Sequence, residues 1–236
     1  MKKSLLYFWG LIVAVIMSAC AMTNEVHFNK NYSGTYALNV DFSDMVDMAK
    51  SFDPSMEDAS ELGMVDQAVS VEEREEMKQM INQIDGISNT SFEVIEKSRL
   101  EFKFDFEDIE TLNSAFSEIQ AALSEQRPGM DGVGSLGLPQ FTKDGKVISH
   151  SASFPEDQIP KETMDEFNAL GDGDGMVDMM MGMMDYTVVL SFDRKIKSVE
   201  IDGVDLISQD KHIVKARIDL SKMIDGGAYH IDVKTK

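Results

Sequence analysis

Arg99-Leu100-Glu101-Phe102-Lys103-Phe104-Asp105-Phe106, running on into Glu107-Asp108-Ile109, is the stretch that decides the fold. Leu100, Phe102, Phe104 and Phe106 alternate with Arg99, Glu101, Lys103 and Asp105. Successive side chains of a strand point to opposite faces, so this segment has one aromatic, buried face and one charged, wet face. Around Glu107 the period changes from two to 3.6, and Ile109, Leu112, Phe116, Ile119 and Leu123 fall on one helical stripe.

The same two periods recur on either side. Phe92 and Val94 predict a partner strand just upstream. Before it, Met77, Met80, Ile81 and Ile84 form one helical face, Glu72, Glu73, Glu75 and Glu76 suit the positive N-terminal end, and Asp85-Gly86 stops the helix. Tyr36, Leu38, Val40 and Phe42 alternate as a strand; Ser43 and Asp44 then cap a short helix carrying Met45, Met48 and Phe52, ended by Asp53-Pro54. Residues 55–70 read as loop. Downstream, Arg127 to Pro139 is dense in Gly and Pro and is the candidate for an internal joint. Thr142-Lys143-Asp144-Gly145-Lys146-Val147 places Asp-Gly between two short strands, a hairpin signal. Residues 155–160 read as loop and 161–170 as helix.

Tyr186, Val188, Leu190 and Phe192 alternate again, as do Val199 with Ile201, then Val214, Ala216, Ile218 and Leu220, then Tyr229, Ile231 and Val233. The expectation is therefore a single α+β domain over residues 32–236. It has antiparallel sheets, helices packed on one face and a C-terminal β-meander over the last fifty residues. A faint echo links Val40–Met45, Phe104–Ile109 and Ile218–Met223, each a strand running into a capped helix; any such junction looks alike.

The first twenty residues differ in kind. Lys2 and Lys3 precede an apolar run from Leu5 to Met17, then Ser18-Ala19-Cys20. A spanning helix needs about 20 apolar residues, and this run is shorter; a charged head, a short apolar core and small residues describe a secretory signal peptide. Met17-Ser18-Ala19-Cys20 resembles the lipobox of bacterial lipoproteins, with Met17 where Leu is usual. The resemblance covers these twenty residues alone. It implies that 1–19 is a signal peptide and that Cys20 is lipidated as the mature N-terminus. The protein is then held in the cell envelope, at the outer membrane facing the periplasm in a Gram-negative cell. Residues 20–31 show no clear period and read as the lipidated Cys and a tether. Cys20 is the only cysteine, which excludes an intramolecular disulfide and leaves the domain to stand on core packing.

The formal charge is −20, which repels nucleic acid and anionic head groups. The exception is Arg194–Lys236, with nine Lys/Arg against seven Asp/Glu: either ordinary mixed outer faces or a docking face for an acidic partner.

No motif names a reaction. His27, His150, His212 and His230 are scattered without metal-ligand spacing, and Gly134-Ser135-Leu136-Gly137 lacks the spacing of a nucleophile elbow. Gly171 to Gly175 with Asp178 hints at a calcium loop, but position twelve would be Met183, and a solvated turn accounts for it. Met176, Met179, Met180, Met181, Met183 and Met184 could offer soft thioethers to Cu(I). On a helix, however, Asp178, Gly182 and Asp185 form a narrow polar stripe and the methionines read as packing. The expectation is a non-catalytic interaction or structural module without a cofactor, having a membrane and an envelope protein as partners. The alternative is a ligand- or Cu(I)-binding lipoprotein using Met176, Met179, Met180, Met183 and Met184.

Overall fold

The computed structural model describes residues 21–43, 71–95, 98–126, 139–153, 185–219 and 227–236. Arg99–Phe106 is a strand as its alternation demands, with Leu100, Phe102, Phe104 and Phe106 all buried. In chain order the strands are β1 (Ala21–Phe28), β2 (Gly34–Asp41), β3 (Ile87–Ile95), β4 (Arg99–Phe106), β5 (Gln140–Asp144) and β6 (Val147–Ser153). They continue with β7 (Asp185–Phe192), β8 (Ile196–Asp202), β9 (Asp205–Gln209), β10 (Ile213–Ile218) and β11 (Ala228–Thr235). Among the described residues two helices join them, α1 (Val71–Ile81) and α2 (Ile109–Gln126). Among the described residues the protein is mostly β.

The strands form a seven-stranded sheet, ordered β3-β4-β2-β1-β7-β10-β9, and a four-stranded sheet, ordered β5-β6-β11-β8. Three expectations need correction here. Residues 21–28 are not a tether. They are the middle strand of the large sheet, antiparallel to β2 and parallel to β7, with Ala21 already opposite both Asp41 and Asp185. The large sheet is consequently mixed rather than antiparallel. The C-terminal strands are no meander either: β7, β9 and β10 belong to the large sheet, β8 and β11 to the small one. Alternation says which side chains face inward, and is silent about which strand lies alongside.

The two sheets bury their inner faces in one core. Phe28 is its hub, fully buried, with ring centroids 5.9 Å from Phe106, 5.8 Å from Phe141 and 5.3 Å from Phe192. From the small sheet come Phe141, Ile148, Tyr229, Ile231 and Val233, and from the helices Ile81, Ile109, Leu112 and Phe116. Asp108 starts α2 by accepting bonds from the Thr111 N–H and hydroxyl, both 2.8 Å, and these bonds hold its carboxyl below the usual range. One turn on, Asn113 donates to the Phe141 carbonyl at 2.7 Å and accepts from its N–H at 2.9 Å. The amide thereby fills a place that another strand would take on the β5 edge. The Asp-Gly hairpin forms as read, Asp144 opposite Val147 with Gly145 at φ +57°.

Deleting the Phe28 ring should cost about 3–5 kcal/mol, because three rings would then border a void. Phe28→Ala is expected to lower the denaturant midpoint accordingly, while Val71→Ala, at a side chain 62% exposed, leaves it nearly unmoved.

Candidate functional site

Two polar features sit in this apolar frame. The first is a row of side chains inside the sandwich. Asn24 of β1 points into the core, and its amide is matched on both sides: the Tyr36 hydroxyl of β2 donates to Oδ1, and Nδ2 donates to the Tyr186 hydroxyl of β7. Across the gap, Tyr229 of β11 lies with its hydroxyl 3.5 Å from Nε2 of His150 on β6. His150 is 1% exposed, packs its ring tilted against Phe141 with centroids 4.4 Å apart, and among the described residues has no hydrogen-bond partner at Nδ1. Burial, with a smaller contribution from His230, pushes its pKa down to about 3. Burial likewise raises Tyr36, Tyr186 and Tyr229, so all three stay neutral at physiological pH.

The second feature is an open polar hollow of about 530 Å³ at the end of the large sheet where β1 turns into β2. Asn29, Asn31, Ser33, Gly34 and Thr35 line one side; Ser88, Asp105, Phe106 and Glu107 line the other. The turn is rigid. Asn29 Nδ2 donates to the Ser33 hydroxyl at 2.9 Å, and that hydroxyl donates to Asn31 Oδ1 at 2.9 Å. Tyr32 holds φ +67°, an uncommon backbone conformation for a bulky residue, and its surroundings fix it there. Lys143 and Arg194 lie 4.9 and 5.2 Å from its ring centroid, and its hydroxyl donates to the Gly145 carbonyl at 3.4 Å. Arg194 in turn donates twice to the Lys30 carbonyl, at 2.9 and 2.7 Å. Gly34 is required by the close approach of strands: a Cβ there would lie 1.8 Å from the His27 carbonyl oxygen.

Asp105 in the floor of the hollow accepts from Thr35 Oγ1 at 2.6 Å and from Asn89 Nδ2 at 2.7 Å. The hollow therefore offers hydroxyls, amides and two carboxylates, already partly bonded to one another. Such a lining can hold a polar partner by hydrogen bonds.

Cys20 and the methionines Met176, Met179, Met180, Met183 and Met184 lie outside the described residues, as do the Gly171–Asp178 loop and the joint up to residue 138. The strand ends that follow them are neighbours: Ala21 and Asp185 are Cα partners in the β1–β7 pair. The four histidines lie on β1, β6, β11 and the turn before β10, with His150 and His230 on the paired strands β6 and β11. Among the described residues no group of three or more His, Cys, Asp or Glu is placed to hold a metal ion. Neither the Asn24–Tyr row nor the Tyr32 turn was read from the sequence, because their partners lie up to about 160 residues away.

No family model matches the chain, and no curated protein matches it. Among solved structures, it is similar to the folded domain of the Mycobacterium tuberculosis LppM protein, at 7% identity and TM-score 0.40, over 92% of this chain and 90% of that one. It is also similar to the Fcho1 mu homology domain of Danio rerio with bound Eps15 peptide, at 9% identity and TM-score 0.24, over 92% and 79%. At these values neither likeness identifies a shared family.

The buried His150 makes a pH prediction. The unfolded chain takes up its proton near the ordinary pKa of 6.5, whereas the fold refuses it until about 3. The contribution is whole above pH 6.5 and is lost as pH falls. Between pH 7 and pH 5 the loss is about 2 kcal/mol. Asp108 and Asp210, whose carboxyls are held low, act only nearer the carboxylate range. Equilibrium unfolding of wild type and His150→Leu at both pH values should show this extra loss in the wild type alone.

Proposed function

We propose that this chain is a lipid-anchored lipoprotein of the cell envelope, and that its folded domain is a non-catalytic interaction or structural module. The reading is carried by one observation: the lipobox-like Cys20 directly precedes Ala21, the first residue of the central strand. A cut before Cys20 leaves every described element whole, and acylation gives the only cysteine a role. Several acyl chains, at about 0.8 kcal/mol per buried CH₂, hold a protein firmly to a bilayer. Among the described residues no helix is long and apolar enough to cross a membrane. The strong net negative charge gives the domain no attraction of its own to anionic lipid. The hydrogen-bonded Tyr32 turn and the polar hollow beside it are the surface such a module would offer an envelope protein.

Mass spectrometry of the protein made in a bacterial host should find Cys20 as the N-terminal residue, carrying a diacylglyceryl thioether. Cys20→Ser should move the protein from the membrane fraction to the soluble one. An unmodified Cys20, or a Ser variant that still pellets with membranes, would defeat the reading.

A further inference from the structure

The pairing of β1 bears on how an anchored domain would stand on its membrane. Ala21 is in the ladder on both sides, opposite Asp41 and Asp185, so the central strand starts one residue after Cys20. One residue of chain spans less than about 4 Å, too little to let the domain turn over on its anchor.

The register places the other strand ends. Asp41 and Arg99 are Cα partners next to Ala21, and Ile218 pairs with Tyr186 beside Asp185. Arg217 pairs with Asp205, so the β8–β9 connection around Asp202 lies at this end too. The β1–β2 turn, the Gly145-Lys146 loop and Arg194 are at the opposite end, tied together by Tyr32. An eight-residue strand separates the two ends by about 26 Å.

From this we infer that the sandwich stands end-on. The end bearing Ala21, Asp41, Arg99 and Asp202 meets the lipid head groups, and the Tyr32 turn with the polar hollow points away into the envelope. The inference rests on the anchor reading above and adds one partner to it: a lipid surface at the Ala21 end of the sandwich. Acidic residues at the lower end are compatible with zwitterionic head groups and oppose anionic ones.

The test uses the full lipidated chain on phosphatidylcholine vesicles containing a lipid with a nitroxide-labelled head group. Acylation consumes the Cys20 thiol, so a fluorophore can be attached to one new cysteine, at Asp202→Cys or at Lys146→Cys; both positions are exposed. The Asp202 probe should be quenched several-fold more strongly than the Lys146 probe. A flexible Gly-Ser spacer inserted between Cys20 and Ala21 should shrink that contrast while the protein still floats with the vesicles. Equal quenching at both positions, or stronger quenching at Lys146, in a chain that floats would overturn the end-on orientation and leave the anchor standing. A chain that does not float at all would overturn both.

Discussion

Everything in this fold depends on β1 being paired on both of its edges. On one side Ala21–Phe28 carries β2, β4 and β3; on the other it carries β7, β10 and β9. The second pairing is parallel and joins residues about 164 positions apart, a loop that must be closed against chain entropy before it is rewarded. The reward is packing: Phe28 at the end of that strand meets rings from β4, β5 and β7 at once. Asn24 in the middle of it binds hydroxyls from β2 and β7. Seam and hub are therefore one element, and the halves on its two sides are held by the same eight residues.

That element is also what was hardest to see in the sequence. Its inward positions are Met22, Asn24, Val26 and Phe28, and the amide in second place breaks the apolar alternation that marks a strand. Asn24 is tolerated inside because both ends of its side chain are bonded, and an unbonded amide there would cost on the order of 1–3 kcal/mol. Both partners are supplied by other strands, one of them far along the chain. The neighbouring strands carried their own signature: Leu100 to Phe106 and Tyr186 to Phe192 face the core as their period two requires. The five-residue β9 carried none, since all of it is exposed.

Pairing was less legible than strand existence. A strand that alternates can join either sheet, and from β7 onward the chain changes sheets three times, so local pattern alone suggested a meander. The ends of the sandwich show a related limit. Asn29-Lys30-Asn31 falls in the stretch that reads as a tether, yet Tyr32 just after it is held in a left-handed conformation by two cations and a carbonyl from elsewhere. These long-range contacts add to the local hydrogen bonds of the turn. The charge pattern carried no address for the hollow either, because its two carboxylates are a small share of the chain's 42 acidic residues.

A lipid anchor on Cys20, as proposed, would sit one residue before a central strand and so differ in kind from one on a flexible leader, fixing both the height and the attitude of the domain. The most direct measurement of that difference is amide hydrogen exchange across residues 22–28 in the native protein. If β1 is the seam of the sheet, these amides exchange only with global unfolding, at the same free energy as those of Val188 and Leu190 in β7. Exchange there at the rate of an unstructured peptide would contradict the account, because residues 21–28 would then be the tether that their sequence alone suggested.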